Sequence, residues 1–500
     1  MLKHKSTILL FSVLAGLYLA TRLINLTILP IFTDEAIYIR WSQIALADQH
    51  HRFISLSDGK QPLFIWFNML TLKAFADPLV AGRMVSIFAG LASLAGIIWL
   101  SWRLFNQQAA VFAGLLYIIS PFSLFYDRLA LYDSLTTAFM VWALLLEVLL
   151  VQTSRLDVAL LLGFAIGGGL LTKSSARFAI YLLPFSLLLF NWRPKPLFKR
   201  LAQWFGLALV AVLVALLFES IIKLSPAQHM VAIKNKVFIV PFNEFFMTDA
   251  WARFRGNLGG LTNWFTAYFT WPWLIGLIPS LIWGLKKSFR KTLLLFGWFI
   301  GPYLALAAFG LILYPRFILF MIFPLLIILG FGMSELKLKL KNRLAFIIPS
   351  LAFLIYAAYF SFRLLTNPIL APLPSGDKDQ FINDWPAGYG VNEVVTFLKQ
   401  ESQTRNVFVA TEGTFGLTPS ALEIYLQDHP NITIKGFWPV GEHPEEIFDQ
   451  VKNFDDVYIL FKDSQNPPER FPGREIELVA KYRKGDSNIF MNLYRIKHEI

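Results

Sequence analysis

Two adjacent carboxylates, Asp34 and Glu35, follow the first apolar stretch of the chain. Thr33 and Asp34 carry side-chain oxygens that can cap free backbone N–H groups, so we expect a helix over about 35–48. Apolar residues recur on one face of this segment, which is typical of a helix lying flat at a membrane interface. A carboxylate held there could act as a general base toward a hydroxyl. The alternative is that the acids only stabilise the helix N-terminus.

Four cations lie in short polar segments between later apolar runs: Lys60, Arg128, Lys173 and Arg316. An arginine can form two hydrogen bonds to a phosphate, and a lysine can bind it as a point charge. The alternative for Lys60 is a side chain that only extends toward the membrane surface. The alternative for Lys173 and Arg316 is ordinary contact with lipid head groups. Asp127 and Asp133 flank Arg128, so an ion pair within that turn is also open. Arg177 closes the Lys173 segment.

Several other polar residues are weaker candidates. Glu147 and Glu219 lie inside or near the ends of apolar runs, and acids within membranes are functional candidates. His50, His51 and Asp58 could contribute to a divalent metal site, but their spacing matches no ligand pattern. The chain has no cysteine, which excludes disulfides, thiolate metal sites and a cysteine nucleophile. We therefore expect no strictly required metal, although a divalent ion is possible.

The composition is that of a multi-pass membrane protein. The 500 residues are 56% hydrophobic and only 16% charged, against about 25% charged residues in soluble domains. The net charge of +12 is unevenly distributed, because residues from 377 onward carry −7 and the remainder carries +19. The basic excess thus belongs to the membrane loops, and we expect no nucleic-acid partner.

The apolar runs predict about eleven transmembrane helices. No cleavable signal peptide is evident, so the first run is expected to be an anchor. The predicted spans are 6–24, 80–101, 109–125, 134–151, 158–172, 177–191, 203–222, 266–285, 292–312, 317–334 and 344–364.

The apolar segment 61–76 decides the topology. If it does not cross, every short-loop cluster of Lys and Arg falls on one side, which is the cytoplasm by the positive-inside rule. We therefore expect 61–76 to be re-entrant or interfacial, with a cytoplasmic N-terminus. The Asp34 segment and the C-terminus then lie outside the plasma membrane.

Residues 377–500 change in character and predict a separate domain after the membrane domain 1–376. Val407–Thr411 and Val457–Phe461 are short apolar runs typical of buried strands. Helical patterns lie near 391–402, 419–428 and 444–453, and alternating stretches at 475–483 and 489–497 follow. This alternation indicates an extracytoplasmic α/β domain.

The chain resembles the GT-C membrane glycosyltransferases, and more closely the branch of the protein O-mannosyltransferases and the lipid A aminoarabinose transferase. The resemblance covers 1–190 most clearly. It rests on the Asp34-Glu35 pair after one span, Lys60-x-Pro62-Leu63, and Arg128-x4-Asp133. Gly169-Leu170-Leu171-Thr172-Lys173 and Tyr314-Pro315-Arg316 add to it.

The resemblance implies a GT-C-like fold and an inverting transfer of a hexosyl or pentosyl group. The donor would be a polyprenyl-phosphate sugar, and the acceptor a hydroxyl of a lipid, glycan or protein at the outer face. Asp34 would be the base and Glu35 would orient it or the acceptor. The four cations Lys60, Arg128, Lys173 and Arg316 would bind the donor phosphate. Tyr38, Asp127, Asp133 and Arg177 would support the substrates.

The sequence departs from these families in two places. The aminoarabinose branch has Glu before its Lys-Pro element, where this chain has Gly59 preceded by Asp58, and this difference counts against a metal ligand at that position. The Trp-Trp-Asp signature of the oligosaccharyltransferases is missing, which argues against transfer of whole glycans to asparagine. Two other classes stay open. A lipid-linked-glycan transporter or flippase would share the many spans, and an O-antigen-ligase-like enzyme would use a different nucleophile.

Overall fold

The computed structural model describes residues 2–247, 249–340, 342–465 and 475–497, and helices dominate up to residue 366. In chain order, the helices of this part are α1 Leu2–Leu23, α2 Thr33–Ala47, α3 Leu63–Leu72, α4 Pro78–Leu104, α5 Gln107–Ile119, α6 Pro121–Tyr126, α7 Tyr132–Thr153, α8 Leu156–Leu170, α9 Arg177–Leu182, α10 Leu197–Glu219, α11 Met230–Phe238, α12 Ala250–Phe269, α13 Trp271–Phe309, α14 Phe323–Lys339 and α15 Arg343–Thr366.

Five helical segments of the described chain are long and apolar enough to cross a membrane: Pro78–Leu104, Tyr132–Thr153, Leu197–Leu224, Trp271–Phe309 and Leu344–Thr366. A sixth would form if Pro315–Met321 and Phe323–Lys339, which are bent by 51°, act as one broken span. Further apolar helices are shorter. The multi-pass character is therefore confirmed, while the count of eleven crossings stays a prediction.

Two features of the helices bear on the predicted spans. Helix α13 has 39 residues and is interrupted at Ser288, whose φ of −147° and ψ of 49° are not helical. The predicted spans 266–285 and 292–312 largely correspond to its two arms. Helix α3 has 10 residues and is about 15 Å long, half of the roughly 30 Å hydrocarbon core. Its length suits the prediction that 61–76 does not cross the membrane.

The C-terminal part alternates helices and strands, as the sequence predicts. Its helices are α16 Ser375–Lys378, α17 Val391–Glu401, α18 Leu417–Leu426 and α19 Pro444–Asp449, and its strands are β1 Val407–Glu412, β2 Ile432–Phe437, β3 Asp456–Phe461, β4 Ile476–Arg483 and β5 Phe490–Ile496. The five-stranded sheet has the order β2-β1-β3-β5-β4. Strand β1 is parallel to β2 and β3, whereas β5 is antiparallel to β3 and to β4.

The centre of this sheet is buried because its two middle strands carry continuous apolar runs. Strands β1 and β3 are buried at every position. Phe408 and Val457 contribute to a core cluster that Ile447 of α19 and Ile496 of β5 complete. Residues buried on both faces are typical of central parallel strands covered by helices.

The chain divides into two compact units. The first, the helical unit, comprises residues 1–24, 52–67 and 83–366, and the second, the sheet unit, comprises 25–51, 68–82 and 367–500. The sheet unit thus takes in helix α2 in addition to the C-terminal residues.

Close helix packing in the helical unit depends on small residues. A Cβ added to Gly163 of α8 would lie 2.8 Å from the carbonyl oxygen of Ala211 in α10. A Cβ added to Gly167, one turn further on, would lie 2.6 Å from the Cβ of Phe218. Glycines at this spacing let the two helix backbones approach closely, which is how membrane helices gain packing contacts.

Candidate active site

The first turn of α2 presents the two adjacent carboxylates differently. Helix α2 begins at Thr33, and the backbone N–H of the preceding Phe32 donates to Glu35 Oε2 at 3.0 Å. Glu35 is fully buried, whereas Asp34 is half-buried. Glu35 therefore caps the helix, and Asp34 is the more accessible carboxylate of the pair.

The capping predicted for Thr33 is wrong. Its hydroxyl and its backbone N–H both donate to the carbonyl oxygen of Pro386, at 3.0 and 3.1 Å. The capping group is instead the Glu35 carboxylate. The start of α2 is thus fixed by the segment that precedes α17, through Thr33–Pro386 and a backbone bridge between Phe32 and Ala387.

Helix α2 is buried on most of its surface, with Ala36, Tyr38, Ile39 and Trp41 among its buried residues. Helix α2 therefore packs against protein on more than the one apolar face expected, and its position at a membrane interface stays a prediction. The Tyr38 ring lies 5.9 Å from that of Trp41. Tyr38, predicted to support substrate, therefore takes part in the packing of α2.

Helix α2 packs on α18 of the same unit. Arg40 Nε lies 3.1 Å from Glu423 Oε2, and Gln43 Nε2 donates to the carbonyl oxygen of Ile424 at 3.0 Å. The Trp41 ring lies 5.8 Å from that of Phe415, in the loop between β1 and α18. The loop at the carboxyl end of a central strand thus supports the helix that carries Asp34.

In the helical unit, the Lys60 segment begins at a glycine that the turn requires. Gly59 has a φ of +68°, and a Cβ there would lie 2.5 Å from the carbonyl oxygen of Met230. Asp58, before it, forms an ion pair of 2.7 Å with Lys234. Glycine is the residue that adopts this backbone at least cost, which explains why this chain has Gly59 before its Lys-x-Pro element.

The segments of Lys60 and Lys173 are joined by two hydrogen bonds. Gln61 Nε2 donates to Ser174 Oγ at 2.6 Å, and the N–H of Leu63 donates to the carbonyl oxygen of Leu171 at 3.0 Å. Two predicted phosphate-binding elements that are 113 residues apart in sequence are therefore neighbours in the structure.

Three of the predicted cations lie against a group of aromatic rings, here called the aromatic cluster and formed by Phe238, Tyr314 and Phe317. Lys60 Nζ is 5.8 Å from the centre of the Phe238 ring, and Lys173 Nζ is 4.4 Å from that of Phe317. The Arg316 guanidinium is 4.7 Å from the ring of Tyr314.

The rings of the aromatic cluster contact one another. The centroids of Phe238 and Phe317 are 6.0 Å apart, and those of Tyr314 and Phe317 are 5.6 Å apart. Aromatic faces attract cations through their quadrupole without neutralising the positive charge. The structure thus brings Lys60, Lys173 and Arg316, here called the cation cluster, to one group of contacting rings.

Lys173 is oriented by a carboxylate. Its Nζ lies 2.6 Å from Asp133 Oδ1, and the side chain of Asp133 is 7% exposed against 27% for Lys173. Asp133 belongs to the first turn of the membrane-spanning helix α7, where a negative charge is favoured. Asp133 therefore restrains the position of the Lys173 side chain, because Asp133 is itself held in helix α7.

Asp127 lies in the packed interior. Its carboxylate accepts hydrogen bonds from Tyr18, Tyr117 and Ser134 at 3.1, 3.2 and 2.9 Å, and lies 3.4 Å from Nη2 of Arg22. Burial raises the pKa of Asp127, and these neighbours oppose the rise. The carboxylate pairs with Arg22 of α1, so these contacts favour a structural role.

Arg128 is also buried and binds the end of α1. Its Nη1 donates to the carbonyl oxygens of Thr21, Arg22 and Ile24 at 3.1, 3.1 and 2.6 Å. Burial and the charges of Arg83 and Arg22 lower the pKa of Arg128 to about 9, which leaves it charged at neutral pH. Arg128 was predicted to bind phosphate, but its Nη1 group binds carbonyl oxygens at the end of α1.

The remaining candidates lie in separate places. Arg177 Nη2 lies 2.5 Å from Glu219 Oε1, so these two candidates form an ion pair between α9 and α10. His51 Nδ1 lies 3.0 Å from Asp48. Glu147 is fully buried in α7, and its carboxylate has no hydrogen-bond partner among the described residues.

The described residues contain no group of three or more His, Asp or Glu side chains arranged to hold a metal ion. The expectation of a metal-independent reaction stays a prediction.

Sequence reasoning missed the residues that support the cations. Phe238 and Phe317 lie 79 residues apart, and Phe238 carries no charge or motif that would single it out. Phe317 directly follows Arg316, so the Tyr-Pro-Arg-Phe run offered a local signal. Arg22 and Tyr18 of α1 offered none, because their shared partner Asp127 is more than 100 residues away.

Comparison with known proteins extends these findings. Residues 59–218 match the family model of the dolichyl-phosphate-mannose-protein mannosyltransferases. The comparison with curated proteins gave no match.

Solved structures with the same fold are similar over most of the chain. ArnT from Cupriavidus metallidurans in the apo state is 17% identical, with a TM-score of 0.63 over 99% of this chain and 98% of that one. The structure of the same protein bound to undecaprenyl phosphate is 15% identical in sequence. Its TM-score is 0.62 over 98% of this chain and 97% of that one. The archaeal oligosaccharyltransferase AglB from Archaeoglobus fulgidus, in complex with an inhibitory peptide and a dolichol-phosphate, is 13% identical. Its TM-score is 0.53 over 92% of this chain and 69% of that one.

These matches define a multi-pass membrane protein with the GT-C glycosyltransferase fold. Within that class, the chain resembles the branch of ArnT and the protein mannosyltransferases, so the resemblance inferred from its motifs is confirmed. The α-helical membrane part with a C-terminal α/β part is likewise confirmed.

Proposed function

We propose that this protein transfers a sugar from a polyprenyl-phosphate donor to a hydroxyl acceptor, with inversion at the anomeric carbon. The observation that carries the proposal is the convergence of Lys60, Lys173 and Arg316 on the aromatic cluster. The family model and the lipid phosphates named for ArnT and AglB support a lipid-linked donor.

The cations would act on the leaving group. As the acceptor oxygen bonds to the anomeric carbon, the bond from that carbon to the phosphate oxygen breaks, and polyprenyl phosphate leaves with the electron pair. Preorganised cations help most where charge develops in this way. Lys173, oriented by Asp133, and Arg316, which is 9% exposed, are suited to this role because their positions are restrained.

Asp34 would receive the proton of the acceptor hydroxyl, as the general base. Its half-buried carboxylate at the start of α2 supports this role, since it is more accessible than the fully buried carboxylate of Glu35. Glu35 would then act by positioning Asp34, through the first turn of α2, without touching the acceptor.

The sheet unit would contribute to acceptor binding, because it supports the helix that carries the base. We further propose that the reaction occurs at the outer face of the plasma membrane. The N-terminus would be cytoplasmic and the sheet outside, as the distribution of Lys and Arg favours. The acceptor would be a lipid, glycan or protein hydroxyl, and the sugar a hexose or pentose.

The test is release of polyprenyl phosphate by the purified full-length protein in vesicles, with polyprenyl-phosphate hexoses and pentoses as donors. Lys173→Met should lower turnover by about 10²-fold, the typical effect of losing one preorganised donor to a developing charge. Lys199→Met, at an exposed lysine, is the matched control and should retain turnover. Bilayer crossing of labelled lipid with no release from any donor would overturn the proposal and favour a transporter.

A further inference from the structure

A groove outside the candidate active site lies between α1 and α4 of the helical unit. Its volume is about 760 Å³, and it is lined by Phe11 and Ala15 of α1 and by Leu94, Ala95 and Ile98 of α4, among others. The lining is mainly apolar, and Arg103 is the one charged residue among the described side chains that form it.

The groove follows one face of α4. Its lining positions Leu91, Ala95, Ile98 and Trp102 are spaced three or four residues apart, so they share a face of the helix. From residue 91 to residue 103 the helix rises about 18 Å. One leaflet of the hydrocarbon core is about 15 Å deep. The groove is therefore long enough for a hydrocarbon chain of one leaflet.

The end of the groove near Arg103 has the character of a membrane interface. Trp99 and Trp102 are 46% and 45% exposed there, and tryptophan is enriched at the level of lipid head groups. Arg103 is exposed, and its Nε donates to Gln152 Oε1 at 2.8 Å. The charge of the guanidinium is not neutralised by this amide.

Helix α7 relates this end of the groove to the cation cluster. Gln152, which contacts Arg103, lies in the last turn of α7, whereas Asp133, which pairs with Lys173, lies in its first turn. Nineteen residues of helix separate them by about 29 Å, the thickness of the hydrocarbon core. Because α7 is long and apolar enough to cross a membrane, we infer that Arg103 and Lys173 lie at opposite surfaces of the bilayer.

We propose that the groove binds one chain of an anionic glycerophospholipid from the leaflet opposite the cation cluster, with the lipid phosphate on Arg103. An arginine is suited to phosphate because its planar guanidinium offers paired donors and is weakly hydrated. A polyprenyl donor whose phosphate lies at Lys173 is a poor occupant, since its head group is at the other surface. The lipid would hold α1 against α4, and its binding does not depend on sugar transfer.

Tryptophan fluorescence tests this site. The full-length protein is reconstituted in phosphatidylcholine vesicles that contain either dibrominated phosphatidylglycerol or dibrominated phosphatidylcholine, whose bromines quench nearby tryptophan. The contribution of Trp99 and Trp102 is obtained by difference from the double variant Trp99→Phe/Trp102→Phe. Half-maximal quenching should require about fivefold less brominated phosphatidylglycerol than brominated phosphatidylcholine. One cation at a membrane surface raises the affinity for an anionic lipid by about this factor.

The variants separate a specific site from general surface charge. Arg103→Gln should remove the fivefold preference, Arg103→Lys should keep part of it, and the control Lys199→Gln should keep all of it. Ala95→Phe, which fills the groove without changing charge, should reduce quenching by both lipids. Equal quenching of the unmodified protein by the two lipids, or equal losses in Arg103→Gln and Lys199→Gln, would overturn the proposal.

Discussion

Asp127 offers a test of structural against substrate-binding roles. Its buried carboxylate pairs with Arg22 and accepts hydrogen bonds from Tyr18, Tyr117 and Ser134. Asp127→Asn removes the charge that compensates the fully buried Arg22. Breaking a buried ion pair by removing one partner costs about 3–5 kcal/mol. That is a large part of the 5–15 kcal/mol that stabilises a typical protein.

The assay is thermal unfolding of the purified protein in detergent, followed by donor titration of the fraction that stays folded. We expect a clear fall in the unfolding midpoint and a lower yield of folded protein, with an unchanged KM for the donor. The matched control is Asp157→Asn, which breaks an exposed pair with Arg155 and should leave stability unchanged. Unchanged stability with a raised KM in Asp127→Asn would refute the structural role.

Burial lowers the pKa of Lys484 to about 7 from an ordinary value of 10.5. Between about pH 7 and pH 10.5 the unfolded chain keeps this proton, whereas the folded chain has lost it. The free energy of unfolding of the sheet should therefore rise with pH from about pH 7, by at most about 1.4 kcal/mol per pH unit. Lys484→Met should flatten this rise. The measurement is the hydrogen-exchange protection of the β1 amides as a function of pH, corrected for intrinsic exchange rates. The same pH dependence of protection in the variant and the unmodified protein would contradict the prediction. Glu35→Gln should retain most turnover because an amide oxygen can still accept from the Phe32 N–H, and a loss greater than that in Asp34→Asn would reverse the two roles. Chelation of divalent ions should not change turnover, and a loss restored by one added ion would show a required metal.

The sequence predicted the C-terminal part well because its signals are local. The apolar runs at 407–411 and 457–461 are β1 and β3, each within one residue, and the helical pattern at 391–402 is α17. Strand β2, Ile432–Phe437, was missed even though its exposure alternates as in a half-buried strand, because Lys435 and Gly436 are residue types that weaken a strand signal.

The site was predicted in part. Lys60, Lys173 and Arg316 were identified by their charge between apolar runs, and the structure brings them to one cluster. Asp127 has the same kind of sequence signal, yet it packs against Arg22, because burial depends on residues distant in sequence. The capping roles in α2 were also misassigned: Thr33 found a partner in Pro386, a contact that spans 353 residues.

Turnover of Asp34→Asn tests the central claim most directly. The substitution keeps the shape of the side chain and removes the proton acceptor. Loss of a general base typically lowers the rate by about 10²- to 10⁴-fold, and donor affinity should change little because the cations bind the phosphate. The measurement is release of polyprenyl phosphate in vesicles together with binding of the polyprenyl-phosphate sugar. A large fall in turnover with donor binding intact is the predicted result, whereas full turnover, or a collapse of donor binding, would contradict the assignment of Asp34 as the base.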